Sequence, residues 1–250
     1  SRAGANANEI IYPQISVSGL GDYDRNSGYV TGAVDLKWKT AQFNYDRGTK
    51  ISVDVMDNEE SRNLAFGMAG ATLMREKVAP EADAFTFATL AALENISKAT
   101  GTVENATQFL DALLTAWSKM DEDEVPQENR ILYATATLLN SVMALDTTKS
   151  REVLAKFAVK KVVPQARFYT AIDLLDGKSS DEEAGHYKKG TTGADINFMI
   201  VHKPAIIKFD KHVVSNIIPA ASNPDADADI IKYVDGYANK RAGIYMNSKA

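Results

Sequence analysis

The chain has 250 residues, 45% hydrophobic and 24% charged, a composition that excludes a disordered or low-complexity protein. Its formal charge of −5 argues against a protein built to grip nucleic acid over its whole surface. With no cysteine, disulfides, thiolate catalysis, iron–sulfur clusters and Cys-ligated zinc are excluded.

If compact, such a chain buries roughly three quarters of its unfolded surface, enough for one large core or two small ones. No apolar run approaches the roughly 20 residues that span a bilayer, and Ser1 to Glu9 holds no hydrophobic signal core. The first residue is Ser1 rather than Met, as after loss of a tag, truncation or processing of a precursor.

Ile10, Ile11, Ile15 and Val17 bracket Pro13, a pattern that suits an extended arm or an edge strand better than a central strand, because proline cannot donate to a ladder, and an arm is expected. Gly19 to Gly28 concentrates Gly, Asp and Asn, so an exposed loop tip is expected. Val30, Val34, Leu36 and Trp38 fall on one parity and Thr31, Asp35, Lys37 and Lys39 on the other, the pattern of a half-buried strand. Ile51, Val53 and Val55 alternate again, with Tyr45 to Gly48 as the reversal. Residues 10 to 56 therefore read as long antiparallel β-structure. It cannot cover both its faces alone, and a projecting hairpin of this kind finds its cover on another chain.

Asp57 starts a helix, with Glu59 and Glu60 in the first turn to complement free N–H groups and the dipole. Leu64, Met68, Leu73 and Val78 continue it until Pro80 interrupts. Phe85, Phe87, Leu90, Leu93 and Ile96 mark a second helix that Gly101 closes, their aromatics packing in a core. A third helix spans about Thr107 to Met120, with Phe109, Leu113 and Trp117 on one face.

Asp121 to Glu124 reads as a solvated acidic loop. Arg130 to Tyr133 reads as a short strand and Ala134 to Leu145 as a short helix. Val153 to Leu175 is rich in β-branched and aromatic residues, and the polar stretch Gly177 to Gly193 is the best candidate for a mobile surface loop. Ile196 to Phe209 and Ile230 to Met246 are again strand-like. The class is α+β.

Motifs for chemistry are absent or incomplete. His186, His202 and His212 lack the i, i+4 spacing of a helical zinc site. Asp225, Asp227 and Asp229 resemble the opening of a calcium loop, but Ile230 stands at the sixth position and Gly236 at the twelfth, where such a loop needs Gly and Glu. Gly19-x-Gly21 lacks the rest of a dinucleotide fingerprint, and there is no Walker lysine motif or nucleophile elbow. No catalytic residue, cofactor or metal is expected. Basic residues gather at Lys149, Arg151, Lys156, Lys160 and Lys161 and at Lys188 and Lys189, a solubilising face or, alternatively, one that faces DNA.

The run Phe43-Asn44-Tyr45-Asp46-Arg47-Gly48, then Ser52 to Glu60, then Arg75 to Phe85, resembles tailed-bacteriophage major capsid proteins. The order is kept by Gly19 to Tyr23, by Val201-His202-Lys203 and by Gly243-Ile244-Tyr245. The resemblance implies the Hong-Kong-type capsid fold: an N-terminal arm over residues 1–18, an extended β-hairpin loop and its strands over 19–56, and a peripheral domain with a long spine helix over 57–104. An axial domain over 105–195 and return strands over 196–250 complete it. It implies candidate assembly contacts at Leu20, Asp22, Tyr23, Arg25, Tyr29, Lys37, Trp38, Arg47, Asp57, Glu59, Glu60 and Arg75.

By the same resemblance, hexamers and pentamers of the chain close an icosahedral virion head around double-stranded DNA. The partners are further copies, portal and scaffolding proteins, with assembly in the host bacterial cytoplasm and no membrane. An N-terminal scaffolding segment removed by a protease would account for Ser1. Lysine–asparagine cross-linking is not carried over, because no lysine stands between Gly19 and Gly28. The alternatives are an encapsulin-like cellular compartment and, from another class, a hydrolase using carboxylates such as Asp225, Asp227 and Asp229.

Overall fold

The structure is a computed structural model that describes residues 2–3, 9–26, 28–42, 44–48, 68, 71–180, 182, 185–212, 228–233 and 243–249. The chain divides into two units, Ser1–Thr49 with Phe209–Lys232, and Lys50–Lys208 with Tyr233–Ala250.

In the first unit, β1 (Arg2–Ala3), β2 (Glu9–Val17) and β3 (Val34–Gln42) form an antiparallel sheet in that order. β2 and β3 pair in unbroken register from Glu9↔Gln42 to Val17↔Val34. The segment expected to be a free arm is therefore the first strand of a hairpin. Pro13 is tolerated because β1 pairs with Ile10 and Ile11, so among the described residues Pro13 lies in the two-stranded part, where a missing N–H is least costly.

β4 (Tyr45–Asp46) pairs antiparallel with β12 (Ala228–Tyr233), which stands between it and β11 (Ile206–His212). Tyr45 and Asp46 thus belong to a sheet rather than to a reversal, and Tyr45 is buried there. The alternation at Ile51, Val53 and Val55 lies outside the described residues, as does the helix start at Asp57.

In the second unit, residues 71–73 are α-helical, Met74–Val78 is a π-turn, and α1 (Ala79–Ala92) follows without a break. Pro80 was expected to end this helix and does not. The N–H of Ala79 reaches back five residues to the Met74 carbonyl, a widened turn that makes room next to a residue with no donor and a bulky ring. α1 ends at Ala92, and Ser97–Thr100 is strand β5 instead of the helix expected up to Gly101, because it pairs in parallel with a strand at the end of the chain. α2 (Ala106–Glu122) starts close to where periodicity placed it; the Asn105 side chain accepts the Gln108 N–H at 2.9 Å.

β6 (Arg130–Ala134), α3 (Ala136–Leu145), α4 (Thr148–Ala155) and β7 (Val159–Val162) follow. A turn at Gln165–Arg167 then leads into a ribbon of β8 (Ile172–Leu174) and β9 (Tyr187–Lys189). The five-stranded sheet has the order β5-β13-β10-β6-β7, where β10 is Ile196–His202 and β13 is Ile244–Ser248. The boundaries expected at 104/105 and 195/196 both run through this one sheet.

β10 is antiparallel to both neighbours and buried on both faces. One face meets α2, α3 and α4 through Phe109, Leu113, Trp117, Leu139, Val142, Phe198 and Ile200. On the other, Tyr133 lies opposite Met199, and Phe87 of α1 packs edge-on against Tyr133 at 5.4 Å and Phe168 at 4.8 Å.

The acidic run Asp121 to Glu124 begins in the last turn of α2, and although Asp121, Glu122 and Glu124 are exposed, Asp121 and Asp123 have structural partners. Arg130 is fully buried, pairs with Asp121 at 2.5 Å, donates to the Pro126 and Val125 carbonyls, and stands 4.2 Å over the Trp117 ring. Asp123 is buried and accepts from Ser97 Oγ at 2.8 Å. A buried guanidinium needs these acceptors, and they pin the loop between α2 and β6.

Candidate assembly interface

Directly opposite residues of an antiparallel pair share a face. The register Pro13↔Trp38, Ile15↔Leu36 and Val17↔Val34 therefore lines one face of the β2–β3 hairpin with apolar side chains. Tyr12↔Lys39, Gln14↔Lys37 and Ser16↔Asp35 line the other with polar ones, including an ion pair between Lys37 and Asp35.

The expected half-buried strand is not half-buried within this chain. Ile15, Val17 and Val34 are 65–71% exposed, and Leu36 and Trp38 slightly over half. Each such side chain gains about 2 kcal/mol on full burial, so the face favours whatever covers it.

The hairpin tip is ordered by local bonds. Ser18 and Ala33 close its neck, Asp24 and Gly28 exchange backbone hydrogen bonds, and the Asp24 carboxylate accepts the Asn26 N–H at 2.6 Å. Gly28 has φ of 79°, a left-handed conformation that a β-carbon would strain. The Tyr23 and Tyr29 rings lie 4.9 Å apart, and both are exposed, as is Leu20.

Of the candidate contacts, Leu20, Asp22, Tyr23, Arg25 and Tyr29 thus lie together on this exposed tip, and Lys37 and Trp38 on opposite faces of β3. Arg47 is half-buried beside β4. Arg75 lies on the π-turn of the second unit, paired with Glu76. Asp57, Glu59 and Glu60 lie outside the described residues. Sequence reasoning did not list Ile15, Val17, Val34 and Leu36 as contacts, although their alternation was the signal.

The basic cluster is engaged within the chain. Lys149 pairs with Asp111 and Arg151 with Asp146, both at 2.9 Å. Lys156 lies over Trp117, and Lys160 donates to the Leu154 carbonyl. Lys189 pairs with Asp195 at 2.7 Å, and Lys249 joins them; the hydrogen bond from Lys189, then that from Lys249, holds the Asp195 carboxyl below the usual range. Lys149, Arg151 and Lys189 are thus each paired with a carboxylate, which fits a solubilising face better than a DNA-facing one.

Of the expected mobile loop, residues 177–180 are exposed and locally bonded, while Gly185, His186 and Tyr187 are half-buried and Tyr187–Lys189 is strand β9. Asp176 accepts from the Ser179 and Lys178 N–H groups and the Ser179 hydroxyl, which takes its carboxyl down to about 2, and Glu182 accepts the Asp176 N–H.

Among the described residues, no group of three or more His, Asp or Glu could hold a metal ion. Asp225 and Asp227 lie outside them, and Asp229 lies in β12. His212 ends β11, His186 lies beside Glu81, and His202 is buried at the end of β10. Burial first, then the Arg130 charge opposite it, pushes the His202 imidazole below the usual histidine range. No described helix is long and apolar enough to cross a membrane.

No family model and no curated protein matches the chain. Solved structures do. The chain is similar to one of Mycobacterium phage Che8 over 97% of its own length and 85% of that chain, at 14% identity and a TM-score of 0.53. It matches the capsid structure of the cyanophage P-SCSP1u over 100% of its length and 85% of that chain, at 12% identity and a TM-score of 0.53. It matches the mature capsid of bacteriophage PhiM1 over 98% of its length and 82% of that chain, at 10% identity and a TM-score of 0.58. At these identities the common property is the fold, and that fold is the α+β fold of phage capsids.

Proposed function

We propose that this chain is a structural protein of a bacteriophage head, a major capsid protein without enzymatic activity. Its copies assemble into hexamers and pentamers that close an icosahedral shell around double-stranded DNA. The observation that carries this reading is the hairpin face: Ile15, Val17, Val34, Leu36 and Trp38 aligned and exposed on a two-stranded ribbon. Monomeric proteins rarely leave such a patch uncovered, whereas repeated copies cover it for one another.

In this reading, residues 19–56 and the strand β2 that pairs with them form the extended loop, and the spine helix of the peripheral domain, expected over 57–78, continues past Pro80 into α1. The five-stranded sheet with α2, α3 and α4 is the axial domain, so that domain takes in β5, β10 and β13 as well as residues 105–195. Portal and scaffolding proteins are further partners, and assembly takes place in the host cytoplasm. The named structural neighbours come from phages, which does not favour an encapsulin-like compartment.

Analytical ultracentrifugation with negative-stain microscopy tests the proposal. Closed shells, tubes or rings of five or six are expected. A monodisperse monomer or dimer across salt and concentration, unchanged by co-expression with a scaffolding partner, would overturn it.

A further inference from the structure

The five-stranded sheet ends on β7, and among the described residues no further strand pairs with the side of β7 turned away from β6. An edge of this kind holds a row of N–H and C=O groups ready to pair with another strand. All four residues, Val159 to Val162, are exposed.

The register with β6 fixes which side chains share a face. Lys160 and Val162 stand opposite Leu132 and Ala134, which belong to the core packed by α2, α3 and α4. Val159 and Lys161 stand opposite Ile131 and Tyr133 on the other face. Each face of the edge therefore presents one valine and one lysine. Val159 is 40% exposed and Val162 53%. Lys160 donates to the Leu154 carbonyl at 3.2 Å, whereas Lys161 makes no ion pair among the described residues.

Lysines on an edge turn most strands away. A second β7 added antiparallel in full register would set Lys160 against Lys161, and one added in parallel would set each lysine against its own copy. Like charges directly opposite are destabilising. A wholly apolar strand would cover the lysines without giving them a partner. Carboxylates remain as the fitting chemistry, and no described strand of this chain carries two of them side by side.

We infer that the free edge of β7 is a docking site for an extended segment of a partner protein with the pattern apolar–acidic–acidic–apolar. The segment adds to the sheet as a sixth strand. Its main chain bonds to the edge, its two carboxylates face Lys160 and Lys161, and its apolar residues cover Val159 and Val162. The pattern reads the same in both directions, so it serves parallel and antiparallel addition alike. Duplex DNA would meet the lysines but neither the valines nor the strand edge, so a peptide fits better. This partner is a different chain from the copies that cover the hairpin face.

Fluorescence anisotropy with the full, unassembled chain tests this, using labelled octapeptides with a Val-Glu-Glu-Val or a Val-Lys-Lys-Val core. Wild type is compared with the double variant Lys160→Glu, Lys161→Glu; Lys161→Glu alone keeps the test open if the double variant fails to fold. Wild type should bind the acidic peptide roughly tenfold more tightly than the lysine peptide, and the double variant should reverse the preference. N-methylation of the acidic core removes its N–H donors and should also cost roughly tenfold. Equal binding of the two peptides, or a preference that the substitutions leave unchanged, would overturn the proposal. So would undiminished binding of the N-methylated peptide, by showing attraction of charge without strand addition. A random-sequence DNA duplex that binds through these lysines while the acidic peptide does not would overturn it in favour of nucleic acid. Loss of shells in the double variant without any peptide binding to wild type would overturn it in favour of a second copy.

Discussion

In β10, every residue from Ile196 to His202 is buried, while in β3 the side chains of Val34, Leu36 and Trp38 are each more than half exposed. Both segments are rich in the residues that favour strands, and both are paired along their length. The difference lies in cover. β10 finds α2, α3 and α4 on one face and Phe87, Tyr133 and Phe168 on the other, all from the same chain. The hairpin has a polar face that water satisfies and an apolar face that it does not. Apolar alternation announces that a face must be covered; it does not say by which molecule.

Substitution of Leu36 by Asp sharpens this contrast most. It should abolish shells and rings in sedimentation and microscopy while changing the unfolding free energy of the isolated chain by no more than about 0.5 kcal/mol, the usual range for an exposed site. A large loss of stability in the isolated chain would break the contrast, because it would mean that the face is covered from within.

In β10, Phe198→Ala should do the reverse, costing about 3–5 kcal/mol in denaturant unfolding through loss of its packing on Phe109 and Tyr245. Arg130→Ala removes the donor to the Val125 and Pro126 carbonyls and the cation paired with Asp121; a cost of about 2–3 kcal/mol in the same measurement is expected.

The smallest effect is on pH dependence. The folded state holds His202 below the usual histidine range, so the unfolded chain takes up its proton first as pH falls. Its contribution is therefore complete above the histidine range and is lost on acidification. Thermal melts from about pH 8 to pH 5 should show this fall, and His202→Gln should flatten it.

Much of this architecture was legible in the residues. Phe109, Leu113 and Trp117 at helical spacing marked α2, and the Gly, Asp and Asn of residues 19–28 marked the tip. What misled was local. Pro80 reads as a stop, yet a π-turn carries the helix past it. Asp121 and Asp123 read as solvated, yet Arg130 and Ser97 reach them from 9 and 26 residues away. Pro13 fits an arm or an edge strand, and of the two the arm was expected, yet β2 is paired with β3 along its whole length.

The sequence by itself determined which faces are apolar, where the tip turns, and that no cysteine chemistry takes part, because each follows from side-chain chemistry and short-range spacing. Only the tertiary structure decided that Ser97–Thr100 is a strand, that Arg130 is buried, and that Glu81 meets His186. Each depends on a partner distant in sequence, and pairing across such distances is settled by packing and not by local preference.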